Sequence, residues 1–367
     1  MPLDSSPAAS SPPLPVREPP TRPFAPLHLG RVELAHPFVQ AALSGYSDVP
    51  MRRLAREYGA SYTVAEVMID RFANEAKGKG RTAHYFEVAD IDHPVGAQLM
   101  GSEPASFVPA AERLVDAGFD VIDVNFGCPV KTAMGGCRGG YHLGQPDVAI
   151  SIIQRVRDTV PAEIPVTVKM RRGIDDSAES RDRFFEILDG AFAAGVAAVT
   201  VHGRTVEQKY VGPSRWEFLA EVKRHVGKQT ILGSGDLFNA KACVDMMEQT
   251  GVDGVTIARG AIGNPWIFEQ CVRLATRGEE PLPPTVFEQR AAIRRHRELV
   301  EEIYGPDRWL GVLKKFGYKY ARLHPRFESV RAKIGKIRSA NEWDTFFQTE
   351  YAIDEAGRFP DVDDVST

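Results

Sequence analysis

One pattern of apolar and polar positions recurs three times along the chain. Apolar residues at helical spacing lead to a glycine, then to a short apolar, β-branched run, and polar residues follow directly. The three copies are GFDVIDVN (118–125), GVAAVTVH (195–202) and GVDGVTIA (251–258), the last running into Arg259-Gly260. A glycine ends each helix because it enters left-handed backbone without a Cβ clash. The unbroken apolar runs suit strands buried on both faces, as in a parallel sheet. The segment 104–117 carries Phe107, Ala111, Leu114 and Ala117 on one helical face, and 182–194 and 239–250 read similarly. Further strands are predicted at 38–43, 62–67, 95–99, 166–170 and 230–233, which makes eight alternating with helices. Such alternation allows a (β/α)8 TIM barrel or an open doubly wound sheet. The barrel is the better fit. Its usual size of about 250 residues matches the span of the strands, and no G-x-G-x-x-G follows the first of them.

Past about residue 284 the strands stop and strongly charged helical sequence takes over, with helices predicted at 287–304 and 307–323. The expected organisation is a Pro-rich disordered tail at 1–25, a barrel at 26–283, a small C-terminal helical domain at 284–350 and an acidic tail at 351–367. Hydrophobic residues at 43% and charged residues at 26% are ordinary for a globular chain. A net charge of −4 means that any nucleic-acid surface has to be a local patch. Four cysteines without C-x-x-C or zinc spacing suit a reducing compartment and argue against a structural metal. The start of the chain does not read as a signal peptide, and the apolar stretch 190–201 is too short to cross a bilayer. A soluble, cytoplasmic protein is the expectation.

In a barrel, chemistry sits at the C-terminal ends of the strands. Those positions carry Ser44-Gly45, Gln98, Asn125-Phe126-Gly127-Cys128-Pro129, Lys169 leading to Arg171, His202-Gly203-Arg204, Ser234-Gly235-Asp236 and Arg259-Gly260. Phosphate commonly binds the loops after the seventh and eighth strands. Glycines there let backbone N–H groups approach an anion, and Arg259 adds a charged donor fork. Lys169 suits an anionic or electron-rich group at the barrel mouth, or else an ion pair with Asp123 or Glu66. Cys128 can act as a general acid or nucleophile. Cys137 lies in the glycine-rich segment Gly135–Gly140, a candidate lid, and Cys243 and Cys271 read as buried apolar residues. No His/Asp/Glu cluster points to a metal.

These residues resemble a known family. GCP (127–129) behind DVN, with Lys131 two residues on, is similar to the signature of tRNA-dihydrouridine synthases. So are QLMGSEP (98–104), VKMRRG (168–173), VHGRT (201–205), GSGD (233–236), ARGAIGNPWIF (258–268) and KYARLHP (319–325), all in order. The resemblance implies an FMN-binding barrel with a helical tRNA-binding domain. NADPH would reduce FMN, hydride would pass to C6 of a uracil in tRNA, and Cys128 would protonate C5. By matching position, Leu43, Gln98, Lys169, His202, Ser234, Gly235, Asp236, Arg259 and Gly260 would hold the cofactor, and Asn125 and Arg171 would meet the uracil. The chain departs from the family at Ala41–Gly45, where Ala-Pro-Met-x-Gly is usual, at Ser234, and at Gly139–Leu143 behind the cysteine.

A target base hidden in folded RNA has to be extruded, which calls for a second surface that grips the RNA. Lys314, Lys315, Lys319, Arg322, Arg326, Arg331, Lys333, Lys336 and Arg338 cluster with Tyr318 and Tyr320. Lys315, Lys319 and Arg322 are the candidate phosphate contacts. The partners expected are tRNA and no membrane, with the chain a monomer. Two other readings stand beside this one: a small-molecule FMN oxidoreductase of dihydropyrimidine or dihydroorotate type, and a non-catalytic RNA-binding barrel.

Overall fold

The computed structural model describes residues 26–360. The expected Pro-rich tail at 1–25 and the segment 361–367 lie outside the described residues. A two-stranded hairpin, β1 (Leu27–Leu29) and β2 (Val32–Leu34), leads into eight parallel strands. These are β3 (Phe38–Gln40), β4 (Tyr62–Ile69), β5 (Val95–Met100), β6 (Val121–Phe126), β7 (Val166–Arg171), β8 (Ala198–His202), β9 (Thr230–Ser234) and β10 (Gly254–Ile257). They close in sequence order, with β10 pairing back onto β3, so the fold is a (β/α)8 TIM barrel followed by helices. The strands form where apolar runs were read, because every residue of β5 and β6 is buried. The three helix-ending glycines, Gly118, Gly195 and Gly251, all take positive φ.

Helices Pro104–Asp116, Pro146–Thr159 and Ala178–Ala193 pack outside β5 to β8. Phe107, Leu114, Ile152, Ile153, Phe184, Ile187 and Leu188 are fully buried between the two layers. Each such side chain contributes roughly 1.5–3 kcal/mol of burial. The hairpin plugs the end of the barrel nearest the strand starts, where Leu27, Leu29 and Leu34 cluster with Val39, Tyr62, Val121 and Leu232.

Past the barrel lie four helices, Val286–Tyr304, Trp309–Tyr320, Phe327–Lys336 and Ala340–Glu350. The first starts at a capping box in which Thr285 and Glu288 satisfy each other's backbone N–H. The second stops at Tyr320 and tightens to a 3-10 turn over Ala321–Leu323, shorter than the single helix expected at 307–323. These helices are clamped to the barrel. Arg295 pairs with Glu57 at 2.7 Å, Arg53 with Glu302 at 3.0 Å, and the Tyr304 hydroxyl donates to Asp48 at 3.1 Å. Tyr46 meets Phe316 edge-on at 5.5 Å. Residues 351–360, read as an acidic tail, fold back onto this layer. Val286 N donates to Glu355 O at 3.0 Å and Arg358 N to Leu323 O at 2.9 Å. Among the described residues no helix is long and apolar enough to cross a membrane, and no group of three or more His, Cys, Asp or Glu is placed to hold a metal.

Candidate active site

An open cleft of about 1330 Å³, including the solvent at its mouth, lies at the C-terminal ends of the strands. It is lined by Leu43, Gln98, Asn125, Cys128, Lys169, Arg171, His202, Ser234, Gly235, Asp236 and Arg259, so eleven of the sequence-derived site residues meet in one place. Gly260 lies buried beneath it. A Cβ at that position would stand 2.1 Å from the Leu237 carbonyl oxygen, which explains why the position has no side chain.

Each side chain has a definite job. The Asn125 Oδ1 accepts from Gly127 N at 2.8 Å and Cys128 N at 3.1 Å, so it holds the start of the loop behind β6. Cys128 is half-buried in the cleft wall, and Gly140 N donates to its carbonyl at 3.0 Å. Cys137 is exposed and does not line the cleft. The Gly135–Gly140 segment is packed under the Cys128 loop rather than standing as a separate lid, since a Cβ on Gly139 would come 2.8 Å from that of Cys128.

Arg171 is buried and donates to three carbonyls, Gly127 at 2.9 Å, Thr205 at 2.8 Å and Lys209 at 2.6 Å. Burial, with Arg204 and Arg259 nearby, brings its guanidinium down to about 10. Lys169 makes no hydrogen bond or ion pair among the described residues. Burial lowers its ammonium to about 8, Arg171 pushes the same way, and Asp123 and Cys128 oppose. His202 accepts from Arg204 N at Nδ1, at 3.1 Å, so its proton sits on Nε2. Burial and then the cations Lys169, Arg171, Arg204 and Arg259 hold it well below the usual histidine range, so it is a neutral donor in the cleft. The Asp236 carboxylate accepts from Arg204 and from Ser214 N, both at 2.7 Å, and thereby ties the β8 and β9 loops together.

Tyr210 lines the same cleft and escaped the sequence reading. Its ring lies between the guanidinium groups of Arg171, at 5.6 Å, and Arg259, at 4.9 Å. The next residue, Val211, is 78% exposed. Only the return of the loop behind β8 over the strand ends brings Tyr210 there, and nothing in local composition signals that return.

The basic cluster divides. Lys315 donates to the Gly45 carbonyl and lies 4.0 Å from Asp48, so it acts as a strut between helix and barrel. Arg322, expected as a phosphate contact, is only 8% exposed. Lys314 donates to the carbonyls of Gly335 and Ile337 at 3.3 and 2.7 Å. Lys333 and Arg326 pair with Glu350 and Glu355. Lys319 stays at the seam with the barrel mouth, where burial and the cations Arg322, Arg331 and Arg259 lower it to about 8. Arg331 and Lys336 are exposed, and no ion pair involves either among the described residues.

Comparison with known proteins agrees with this geometry. The model of the dihydrouridine synthase family matches residues 39–356. The chain belongs to the dihydrouridine synthase family. A relative in Mycobacterium tuberculosis, named probable tRNA-dihydrouridine synthase, is 32% identical over 354 residues, covering 93% of this chain and 88% of its own. One of the same name in Rhodobacter capsulatus is 33% identical and covers 86% of this chain and 97% of its own. Solved structures share the barrel. Morphinone reductase in complex with tetrahydroNAD superposes with a TM-score of 0.52 at 14% identity, covering 71% of this chain and 92% of that one. 2-Naphthoyl-CoA reductase does so with a TM-score of 0.55 at 11% identity, covering 67% and 51%. For a dihydrouridine synthase, the departures at Ala41–Gly45 and Gly139–Leu143 fall on the two loops that flank the cleft, one clamped by Lys315 and the other packed under Cys128.

Proposed function

We propose that this protein reduces uridine to 5,6-dihydrouridine in tRNA, with FMN as bound cofactor and NADPH as reductant. The observation that carries the reading is the meeting of Cys128 with Lys169, Arg171, His202 and Arg259 in one cleft of a dihydrouridine synthase. The residues fit a flavin phosphate. Ala42, Leu43, Val67, Leu237, Phe238 and Ile262 give the cleft apolar walls, while Lys169 and His202 Nε2 face it as donors without a protein acceptor. Gly235, at φ +115, keeps the space beside His202 Nε2 open, since a Cβ there would come within 3.3 Å of it. A phosphate suits the Ser234-Gly235 and Arg259-Gly260 loops.

When bound, FMN supplies the hydride, which it draws from NADPH. The chain supplies the rest. Lys169 and His202 bind and orient the ring, and Arg171 and Tyr210 flank the base. Cys128 delivers a proton to C5 as hydride reaches C6, and a solvent proton restores the thiol. Lys319, Arg331 and Lys336 meet the RNA backbone. A tRNA substrate and four free cysteines suit a cytoplasmic protein.

Mass spectrometry of tRNA from cells with and without the gene tests the reading. One or more dihydrouridines should vanish and map the site. A yellow protein with unchanged tRNA would instead favour a small-molecule reductase, and a protein that takes up no flavin would favour a non-catalytic binder.

Two variants test the separate surfaces. Arg259→Ala should bind FMN roughly ten- to a hundredfold more weakly, since a charged hydrogen bond contributes about 1.5–3 kcal/mol. Equal retention of FMN in equilibrium dialysis would remove the phosphate assignment. Replacing Lys319, Arg331 and Lys336 together with alanine should weaken tRNA binding and flatten its salt dependence by up to ~0.9 log units of slope per lost contact. NADPH oxidation should continue in that variant. An unaltered slope would move the RNA surface elsewhere.

A further inference from the structure

The loop that carries Cys128 hangs from a chain of buried hydrogen bonds that starts deep in the barrel. Asp123, on β6, is buried, and each of its carboxylate oxygens accepts one bond. Thr167 Oγ1 donates to one at 2.6 Å and Gln98 Nε2 to the other at 2.6 Å. Gln98 Oε1 in turn accepts from Asn125 Nδ2 at 2.6 Å. Asn125 Oδ1 then receives the backbone N–H groups of Gly127 and Cys128. The chain crosses from β7 to β6, to β5 and back to β6, held in register by the pairs Gln98 with Asp123 and Asp123 with Thr167.

Burial raises the Asp123 carboxyl above its ordinary range, while the hydrogen bonds from Thr167 and Gln98 and the charge of Lys169 favour the ionised form, which can only accept. Gln98 therefore turns its NH₂ toward Asp123 and its oxygen toward Asn125. That forces Asn125 to present NH₂ to Gln98 and oxygen to the loop. Reversing Asn125 would set its NH₂ against the N–H groups of Gly127 and Cys128, and reversing Gln98 would set oxygen against the Asp123 carboxylate and NH₂ against the Asn125 NH₂. Asp123 is thus the acceptor-only anchor at the deep end of the chain, and with the two loop N–H groups at the other end it holds both amides in one orientation. It also lies beside Lys169, whose charge it supports.

We propose that Asp123 is a positioning residue for the reaction: through Gln98 and Asn125 it fixes the loop that aims the Cys128 thiol into the cleft. This rests on the reading of Cys128 as proton donor, but it touches neither flavin nor uracil itself. A displacement of about 1 Å in such a group costs up to ~10²-fold in rate.

The test uses the full-length, flavin-loaded protein in a Cys137→Ala background. Cys243 and Cys271 are buried, so Cys128 is then the one thiol a reagent in solution reaches. In Asp123→Leu, alkylation of Cys128 by iodoacetamide should change by about tenfold or more, and single-turnover reoxidation of reduced flavin by tRNA should slow by ~10²-fold. Flavin reduction by NADPH, which does not use Cys128, should fall far less than reoxidation by tRNA even though Asp123 also supports Lys169, a split that a general loss of structure would not give. Asp123→Asn keeps shape while removing the acceptor-only constraint and should show the same split to a lesser degree. It also serves if the leucine variant does not fold. Adding Asn125→Ala to Asp123→Asn should cost little more than Asn125→Ala alone, because both act through one chain. Parent-like alkylation and reoxidation in a folded Asp123→Asn, or fully additive losses, would overturn the proposal. If the parent protein itself does not reduce uridine, the functional reading falls, while the alkylation rates still decide whether Asp123 sets the loop.

Discussion

Cys128→Ala should keep its FMN, accept hydride from NADPH and bind tRNA, yet reduce uridine about 10²–10⁴-fold more slowly, the usual weight of general acid catalysis. The thiol lines the cleft beside Lys169 and Arg171, and its backbone is fixed from two sides, by Asn125 and by Gly140. Truncation to alanine removes the proton and little else. Cys128→Ser should also be slow, because an alcohol is a far weaker acid than a thiol. Cys137→Ala is the control and should stay near wild type, since Cys137 is exposed and outside the cleft. Single-turnover reoxidation of pre-reduced flavin by tRNA is the deciding measurement. Normal reoxidation in Cys128→Ala with failure in Cys137→Ala would exchange the roles of the two thiols.

Arg171→Met should damage both stability and rate. The guanidinium satisfies three carbonyls from two loops, Gly127 in the cysteine loop and Thr205 and Lys209 in the loop that carries Tyr210. A buried acceptor stripped of its donor costs about 1–3 kcal/mol, and water reaching the Lys209 end offsets part of the total, so a loss of roughly 2–5 kcal/mol is expected. The two loops would also separate, which should lower uridine reduction by ~10²-fold through misplacement of the thiol. Arg171→Lys keeps the charge but not the fork, and should recover little of either effect. Thermal unfolding and single-turnover rates read the two losses separately. Unfolding of Arg171→Met at the wild-type temperature would show Arg171 to be a surface-like contact rather than a tie between loops.

Much of this was legible from sequence because barrel strands bury both faces. β6 and β8 announce themselves as apolar runs behind a glycine, and a barrel delivers whatever follows such a run to one end of the molecule. That is why Cys128, His202 and Arg259 were found together. Partners distant in sequence were not legible. Lys315 looks like any lysine in a basic helix, and its acceptor, the Gly45 carbonyl, lies 270 residues away. Arg322 was read from charge alone, yet the turn over Ala321–Leu323 rolls it inward. Asp236 was placed with the cofactor residues by matching position; it lines the cleft, and its carboxylate also holds Arg204 and Ser214, partners that no local pattern announces. Charge runs state how much charge a segment carries and say nothing of the face on which folding leaves it.

The seam between barrel and helices limits how this enzyme can be rebuilt. Lys315 grips Gly45, Phe316 packs on Tyr46, and the backbone of Lys319 and Tyr320 fills the space beside Gly263, where a Cβ would come within 2.6 Å. The helix proposed to face the RNA is therefore also a wall of the loops proposed to face the cofactor. A chimera that borrows another enzyme's helical region to redirect it to a different tRNA position inherits a mismatched wall, and should lose flavin before it gains a new target. Transplanting residues 43–48 and 259–264 together with the helices is the smallest exchange that keeps both faces of the seam native.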